Sequence, residues 1–323
     1  MAMPRDRDFL IGTLSAIVGA ALFGLLGPLA RFGAEAGVPG VAFTAWRAIL
    51  GAASLAVLIV IRGSAGSSLA SVRGLSTRGR LSLATAAVMG VALNVSMFTA
   101  FGLVPIALAL MLFYTYPAGV VVADVLLGHE RITRPRVAAL LLSSAGVILV
   151  LAGGMGGSGD MPIAPLGIAL ALCAAVSQVV FMTVSRSGYR AVPADAATLV
   201  LLVASVIGAS AIAILTGQAA GLTAPLHSLD PWPYLLVAGI ACAGVSSLLF
   251  LTAIRRIGGT RTGILMLLEP VVGVMLAGIL LGEAMGPTQA FGGALVLAGA
   301  LVLQLRSDPQ LEATVETAAG LVV

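Results

Sequence analysis

The chain has 323 residues, of which 59% are hydrophobic and 9% charged, and its formal net charge is +4. Soluble domains carry about 25% charged residues, so this composition excludes an ordinary soluble enzyme, a disordered protein and a nucleic-acid binder. All 17 basic residues are Arg, which excludes a Walker A phosphate loop and lysine Schiff-base chemistry, because both need Lys. We therefore expect no ATP site on this chain, and an ion gradient or a separate subunit as its energy source.

Long apolar runs predict an all-α polytopic membrane protein with ten transmembrane helices, because about 20 apolar residues cross the hydrocarbon layer. A Gly/Pro-rich stretch, 153–165, separates the fifth run from the sixth, and we interpret it as a loop between two domains. A tail, 306–323, follows the last run. The predicted spans are 9–30, 41–61, 81–103, 106–127, 137–152, 166–185, 195–216, 233–254, 262–281 and 288–305.

The placement of Arg predicts the orientation of these spans. With the N-terminus in the cytoplasm, 15 of the 17 Arg residues fall in cytoplasmic segments, Arg31 falls in an outer loop, and Arg47 falls within the second span. Cytoplasmic loops of membrane proteins are enriched in Lys and Arg. We therefore predict a bacterial inner (plasma) membrane protein with both termini, including the tail, in the cytoplasm. The orientation of the protein in the lipid bilayer, its expected partner, then explains the positive net charge. We expect no nucleic-acid partner.

The two halves of the chain resemble each other at a nearly constant spacing. Residues in the later part of each half match at a spacing of 153, and residues in the earlier part match at 155, so an indel of two residues reconciles them. The pairs at 153 are Thr99-Ala100 with Thr252-Ala253, Pro117 with Pro270, Glu130 with Glu283, and Ala145-Gly146 with Ala298-Gly299; those at 155 include Gly12 with Gly167, Arg31 with Arg186 and Gly33 with Gly188.

An odd number of spans in each half predicts an inverted repeat. Residues 9–152 and 166–305 hold five predicted spans each, so the second half enters the membrane from the opposite side. Many secondary transporters have this arrangement, with substrate bound near the midplane between the repeats. The alternative is a chance similarity between helices that are rich in Gly and Ala.

The order of motifs along the chain resembles a known family. Arg47 lies early in the second span, a Pro lies in spans four and nine, and a His-Glu or Gly-Glu turn follows each, with an Ala-Gly pair in each closing span. This order is similar to the EamA branch of the drug/metabolite transporter superfamily, and most similar to the bacterial exporters of aromatic amino acids (YddG type). The resemblance covers residues 9 to 305. It implies a ten-helix basket whose central cavity opens alternately to either side.

Glu269 is the sharpest candidate for a functional residue. A charged group at the bilayer centre costs about 2.5–3.5 kcal/mol, and Glu269 lies in the body of span nine, just before Pro270. The repeat places it opposite Tyr116, 153 residues earlier, and places Tyr114 opposite Leu267. We interpret Glu269 as a carboxylate that binds a substrate amine or a coupling proton. A structural ion pair with Arg47 is the alternative.

Five further polar residues lie in the spans, and all of them but Asp124 are candidates for the same site. Arg47 either contacts substrate or ties helices together and reaches the interface. Asn94 and Ser247 are 153 residues apart, and they and Gln178 suit either a cavity wall or hydrogen bonds between helices. Asp124 lies near the predicted cytoplasmic end of span four, where the interface is within its reach.

Prolines and aromatic residues complete the predicted transport machinery. Pro117 and Pro270 each lie inside a span, where Pro frees a backbone carbonyl and kinks the helix, and we interpret spans four and nine as gating elements. Several aromatic residues cluster before and around Pro117, in a region that suits either a flat apolar substrate or simple packing. These are Phe98, Phe101, Phe113, Tyr114 and Tyr116.

Other classes of membrane protein compete with a transporter. A GSGD string at 157–160 matches intramembrane aspartyl proteases, but the sequence has no Tyr-Asp pair to supply a second aspartate. A rhomboid-like serine protease is disfavoured because His129 and His227 both fall in predicted loops. A lipid flippase, a receptor and a structural bundle stay open. We predict no enzymatic activity, cofactor or metal. We predict that the protein transports a small-molecule substrate, above all an amino acid, and proton coupling is one candidate for the driving force.

Overall fold

In the computed structural model of the protein, every regular element among the described residues is a helix. The structure describes residues 4–126, 163–185, 188–189, 191–257, 265–283 and 285–305, with single helical positions between 134 and 152. Parts of the fifth predicted span, most of the loop 153–165 and all of the tail 306–323 lie outside these residues. The His129-Glu130 turn and Arg186 also lie outside them.

The helices follow the apolar runs of the sequence and end at turns rich in Gly and Pro. A π-helical segment, Val237–Val245, joins two of them in the eighth predicted span, where the sequence predicted a continuous helix. In chain order the helices are α1 (Pro4–Gly24), α2 (Leu26–Glu35), α3 (Gly40–Ile61), α4 (Ala65–Arg73), α5 (Thr77–Ala100), α6 (Ile106–Phe113), α7 (Tyr116–Leu126), α8 (Pro165–Ser185), α9 (Ala194–Leu215), α10 (Ala219–His227), α11 (Trp232–Leu236), α12 (Ser246–Ile257), α13 (Leu268–Leu281) and α14 (Pro287–Leu305).

Six helical stretches are long and apolar enough to cross a membrane, by length and composition. They correspond to the first, second, third, sixth, seventh and eighth predicted spans, which confirms a polytopic helical protein. Two shorter apolar helices, Ile106–Val120 and Leu268–Leu281, fall in the fourth and ninth predicted spans. The six long stretches are Phe9–Glu35, Gly40–Ile61, Thr77–Ala100, Pro165–Ser185, Asp195–Leu215 and Trp232–Phe250.

Two short helices lie in connections that the sequence predicted as loops. α4 follows α3 and α10 follows α9, and their first residues are 154 positions apart, so they are equivalent in the repeat. Two indole N–H groups hold α10 on the bundle: Trp46 donates to the Leu222 carbonyl at 3.0 Å, and Trp232 donates to the Pro225 carbonyl at 2.8 Å. Each short helix has only nine residues, too few for a clear apolar period.

Helices that are related by the repeat run in opposite directions. Gly27 in α2 lies against Ile106, the first residue of α6, so the first span ends beside the start of the fourth. Gly167, near the start of α8, lies against Val104, just before α6. The first span therefore ends at the end of the bundle where its counterpart, α8, begins.

The second and seventh spans, α3 and α9, show the same reversal. Gly221, which follows the end of α9, lies against Pro39, which precedes α3. Near the other ends of these helices, Leu202 shares an apolar cluster with Leu55 and Ile59. α3 and α9 are therefore antiparallel neighbours.

Several of the helix contacts in the described residues recur when the two halves are exchanged. α5 packs on α8, just as α12 packs on α1. α13 packs on α1, just as α6 and α7 pack on α8, and α3 packs on the π-helical segment as α9 packs on α5. A two-fold axis between antiparallel halves produces this pattern.

Small residues allow some of these helices to approach closely. A Cβ atom on Gly51 of α3 would lie 2.7 Å from the Cβ of Ala243 in the π-helical segment, and 3.3 Å from the Gly239 carbonyl oxygen. Real Cβ atoms do not approach so closely, so this contact requires Gly. Helices in membranes pack through such small residues because lipid tails offer no hydrophobic driving force between helices.

The two ends of the bundle differ in charge. We call the end that holds Arg31, the 101–105 turn and the start of α8 the Arg31 end. Around α4, at the opposite end, lie Arg62, Arg73, Arg78 and Arg80. Four of the fifteen Arg residues that the sequence predicted on one side therefore lie together at this end.

Candidate functional site

The fourth and ninth predicted spans are interrupted at equivalent positions. Tyr114 lies in the turn between α6 and α7, and Leu267, 153 residues later, lies in the turn before α13. Pro117 is the second residue of α7 and Pro270 the third of α13. Pro is tolerated in the first turn of a helix, where its missing N–H is not needed. Each Pro therefore lies just after the interruption.

Tyr114 joins the two interruptions. Its hydroxyl donates to the backbone carbonyl of Met266 at 3.4 Å and lies close enough to the Glu269 side chain to interact with it electrostatically. The Tyr114 side chain is 3% exposed, whereas Glu269 is half-buried. Glu269 lies in the first turn of α13, where the positive end of the helix dipole favours a carboxylate. A carboxyl group is thus held at the junction of two broken helices, one from each half.

Three aromatic rings surround this junction. The Phe113 ring centroid lies 5.2 Å from that of Tyr116 and 5.6 Å from that of Tyr114, and the two Tyr centroids are 5.8 Å apart. The half-buried Tyr116 is close enough to Glu269 to interact with it electrostatically. Carboxylates bind ammonium groups, and aromatic faces attract cations and flat apolar groups. These residues together form what we call the Glu269 junction: Phe113, Tyr114, Tyr116 and Glu269.

Arg47 does not pair with Glu269. Its Nη2 donates to Asn94 Oδ1 at 2.6 Å, and its guanidinium carbon lies 5.0 Å from the centroid of the Phe98 ring. Asn94 in turn donates to the Gly90 carbonyl at 2.7 Å. The ion-pair alternative for Glu269 is therefore wrong. The physical reason is that the Arg47 side chain extends from α3 onto α5, whereas the Glu269 side chain lies beside Tyr114, in the turn after α6.

The predicted aromatic cluster consists of two separate groups. Phe98 and Phe101 contact each other at 5.8 Å between ring centroids, and Phe98 also contacts Phe43 at 5.3 Å. Phe98 packs against Arg47 near the end of α5, and Phe101 follows at the end of that helix, where its carbonyl accepts a hydrogen bond from Arg31. Phe113 and the two tyrosines belong to the Glu269 junction instead. Adjacency in sequence did not distinguish the groups because the turn at 101–105 reverses the chain between them.

The remaining predicted polar residues are dispersed. Gln178 on α8 and Ser247 on α12 are half-buried, and neither side chain hydrogen-bonds another described residue. The neighbouring Ser246 donates to the Gly19 carbonyl at 2.8 Å, which ties α12 to α1. Asn94 bonds Arg47, so the repeat-related Asn94 and Ser247 have different surroundings. Asp124 lies in α7, and its side chain is outside the described part.

The structure reveals an ion pair that the sequence did not predict. Arg31 Nη2 lies 3.1 Å from Glu283 Oε1, and Glu283 Oε2 accepts the Ile106 N–H at 2.7 Å. Burial raises the pKa of the Glu283 carboxyl, while the Ile106 N–H and Arg31 act to lower it. Arg31 belongs to α2 rather than to a loop. A signal was present, since both members recur in the other half, as Arg186 and Glu130.

Metal-binding and thiol chemistry find no site in the described part of the chain. No group of three or more His, Cys, Asp or Glu side chains there could hold a metal ion. Cys173 is exposed and Cys242 buried, and both are free thiols. The groups that could bind a ligand are therefore the carboxyl group and the aromatic rings at the Glu269 junction.

The fold and this site together define a polytopic helical membrane protein built from two related halves. A family model described as the EamA-like transporter family matches the chain twice, over residues 10–152 and 165–305. The chain belongs to the EamA-like transporter family, within the drug/metabolite transporter superfamily. The two matches coincide with the two halves that the sequence spacing indicated.

Comparison with solved structures supports the fold. One crystal structure, at 22% sequence identity, covers 91% of this chain and 96% of its own chain, with a TM-score of 0.59. At this identity the likeness concerns the fold alone. No curated protein sequence matches the chain.

Proposed function

We propose that the protein is a secondary active transporter that exports small metabolites, chiefly amino acids and aromatic ones in particular, across the bacterial inner membrane by alternating access. The observation that carries this proposal is the Glu269 junction. A carboxyl group and three aromatic rings are brought together there by interrupted helices from the two halves. Secondary transporters form their substrate sites from discontinuous helices of this kind, at the interface of repeats.

The proposed architecture has ten spans, arranged as two inverted five-helix repeats around a central cavity. The opposite directions of α1 and α8, and of α3 and α9, support it. The basic residues around α4 support a cytoplasmic location for that end of the bundle, with the Arg31 end outside. Both termini then lie in the cytoplasm.

Each group at the Glu269 junction has a part in the proposed mechanism. Glu269 binds the substrate ammonium group or a coupling proton, and the Tyr114 hydroxyl, which interacts electrostatically with the carboxyl group, helps to orient it. Phe113 and Tyr116 offer ring faces to an aromatic side chain. Pro117 and Pro270 follow the interruptions, where rotation of the helix halves would open one side of the cavity and close the other.

Four residues of the surrounding helices are secondary candidates for substrate contact. Gln178 and Ser247 are included because their polar groups are not engaged by other described residues. Arg47 and Asn94 are already bonded to each other, so they contact substrate only if it displaces that bond. Otherwise they tie α3 to α5 beside the cavity.

A counterflow panel in proteoliposomes tests the proposed function. Vesicles that contain the purified protein are loaded with one unlabelled amino acid at a time, and entry of the same labelled amino acid is measured. We expect counterflow of Phe, Tyr or Trp and none of Thr or Cys. Glu269→Gln should abolish it, whereas Glu35→Gln, which alters an exposed carboxyl group at the end of α2, should leave it unchanged.

Two results would overturn this proposal in different ways. Counterflow of Thr or Cys alone would move the protein to another substrate branch of the same family. Absence of counterflow for every amino acid, together with movement of labelled lipid between leaflets, would make the protein a lipid flippase.

A further inference from the structure

A compact set of polar contacts lies at the Arg31 end of the bundle. Arg31 Nε donates to the Phe101 carbonyl at 2.7 Å, and Arg31 Nη2 donates to the Val104 carbonyl at 3.1 Å. The same Nη2 lies 3.1 Å from Glu283 Oε1, and Glu283 Oε2 accepts the Ile106 N–H at 2.7 Å. We call these five residues the Arg31 cluster.

The Arg31 cluster joins the two halves of the chain. Arg31, the 101–105 turn and Ile106 belong to the first family match, and Glu283 belongs to the second. Glu283 is therefore the one member that the second half contributes, and both of its oxygens bind groups of the first half. If the halves separate at this end, these two contacts must break.

The cluster lies on the same helices as the Glu269 junction. α6 begins at Ile106 and ends just before Tyr114, so the cluster and the junction lie about 12 Å apart along this helix, at 1.5 Å per residue. α13 likewise carries Glu269 in its first turn and leads into Glu283 after its last. The cluster and the junction are therefore connected by the same two helices, one from each half.

The strength of the contacts suits a reversible closure. The Arg31 and Glu283 side chains are 16% and 12% exposed, so the pair lies next to solvent, although Glu283 Oε1 is itself buried and accepts no hydrogen bond. When the pair breaks, water can solvate the separated charges, which keeps the cost of opening small. A fully buried pair would not open in this way, because the separated charges would stay in an apolar environment.

We propose that Arg31 and Glu283 form a reversible latch between the two halves, which is closed in this structure and opens when the Arg31 end opens during transport. This inference rests on the proposed function, because it assigns the pair to one step of alternating access. Its alternative is a permanent staple that only stabilises the fold. The two differ in whether breaking the ion pair changes access to the buried side chains behind it.

Glu283→Gln separates the ion pair from the other contacts. Gln retains an oxygen that accepts the Ile106 N–H, and it removes the charge that faces Arg31. The reporter is Ala277→Cys, a position on α13 that is 1% exposed. It is placed in a Cys173→Ser, Cys242→Ala background, and its reaction with a water-soluble maleimide is timed in nanodiscs, where both ends of the protein are accessible.

We expect Glu283→Gln to speed labelling at Ala277→Cys by about five-fold, the population change that corresponds to about 1 kcal/mol. A second reporter, Ala16→Cys, lies at the opposite end of the bundle and is fully buried. Its labelling should stay the same or slow down. Glu35→Gln is the matched control, since it neutralises an exposed carboxyl group on α2. It should leave both labelling rates unchanged.

The latch is overturned if Glu283→Gln labels as slowly as its parent, or if both reporters speed up equally, since the second result is general loosening. A second variant tests the same idea. Arg31→Cys with Glu283→Cys, joined by a reducible bis-thiol reagent, should stop counterflow, and a reductant should restore it. Counterflow that continues in the joined protein also overturns the latch. Wild-type protein that shows no counterflow at all overturns the proposed function, while the labelling result still decides whether the pair opens.

Discussion

The Tyr114 hydroxyl donates to the Met266 carbonyl and interacts electrostatically with the Glu269 side chain at the point where two interrupted helices meet. Tyr114 ends the first part of one broken helix, and Glu269 begins the main part of the other. The repeat relates the two helices, so each half contributes its break to one site. A carboxyl group inside the membrane requires a partner of this kind, because a charge at the bilayer centre costs about 2.5–3.5 kcal/mol.

Glu269→Gln tests whether the carboxyl group couples transport to protons. The amide keeps the size and hydrogen-bonding capacity of the side chain but cannot release a proton. Substrate efflux driven by an imposed pH gradient should therefore disappear, while the variant elutes as a folded protein in size-exclusion chromatography. Unchanged pH dependence in this variant would remove Glu269 as the coupling group.

Tyr114→Phe tests the hydrogen bond from the Tyr114 hydroxyl to the Met266 carbonyl, which joins the two interrupted helices. Loss of one hydroxyl should lower stability by about 1 kcal/mol, the typical net contribution of a hydrogen bond. The thermal midpoint in detergent measures this. Tyr116→Phe is the matched control, because the Tyr116 hydroxyl has no hydrogen bond in the described structure. Equal midpoints for the two variants would show that the Tyr114 bond contributes nothing.

Asn94→Leu should destabilise the protein more than the double variant Arg47→Met with Asn94→Leu. The single change removes the acceptor of a buried guanidinium group, and an unsatisfied buried donor costs about 1–3 kcal/mol. Replacing both partners by apolar side chains avoids that cost. Thermal midpoints rank the two variants. If the double variant is the less stable, Arg47 is not held by Asn94 in the way the structure shows.

Counterflow measured in the folded double variant also tests whether Arg47 contacts substrate. Retained counterflow in that variant would leave Arg47 and Asn94 as a tie between α3 and α5. Lost counterflow in a stable variant would make Arg47 a substrate contact.

Gly51→Ala should destabilise the protein by about 1–3 kcal/mol, the usual cost of overpacking, because its new Cβ would lie 2.7 Å from Ala243. Gly66→Ala is the matched control, since Gly66 lies in α4 and a Cβ added there would have no other atom within 4 Å. There Ala should stabilise the helix by about 0.5–1 kcal/mol. The two substitutions share the same gain in helix propensity, so their difference in thermal midpoint measures the close contact. A Gly51→Ala midpoint equal to or above that of Gly66→Ala would contradict the packing of α3 on the π-helical segment.

The sequence was sufficient to predict the long helices and the relation of the halves. Apolar runs report how favourably a segment enters lipid, and this locates Gly40–Ile61 or Pro165–Ser185 within a few residues. Pro117 and Pro270 are 153 residues apart, the spacing that other matched pairs share. In the structure each of the two follows an interruption of its span. Neither signal depends on the surroundings of a side chain in three dimensions.

The contacts of the polar residues were not predictable in the same way. Arg47 reaches Asn94 rather than Glu269 because a long side chain can extend along its helix. The position of Arg47 along the predicted span therefore does not determine where its charge lies. Arg31 and Glu283 were predicted to be in loops, but a turn after α13 brings them together. The π-helical segment depends on the packing of Gly239 and Ala243 against α3, which hydropathy does not record.

The most direct test of the account asks whether the Glu269 junction faces each side of the membrane in turn. In the background without native cysteines, Tyr116→Cys is exposed in sealed vesicles to a membrane-impermeant thiol reagent, added to one side and then, in a separate sample, to the other. We predict reaction from both sides, slowed from both by saturating Phe. Reaction from one side only, with or without Phe, would contradict alternating access at this site.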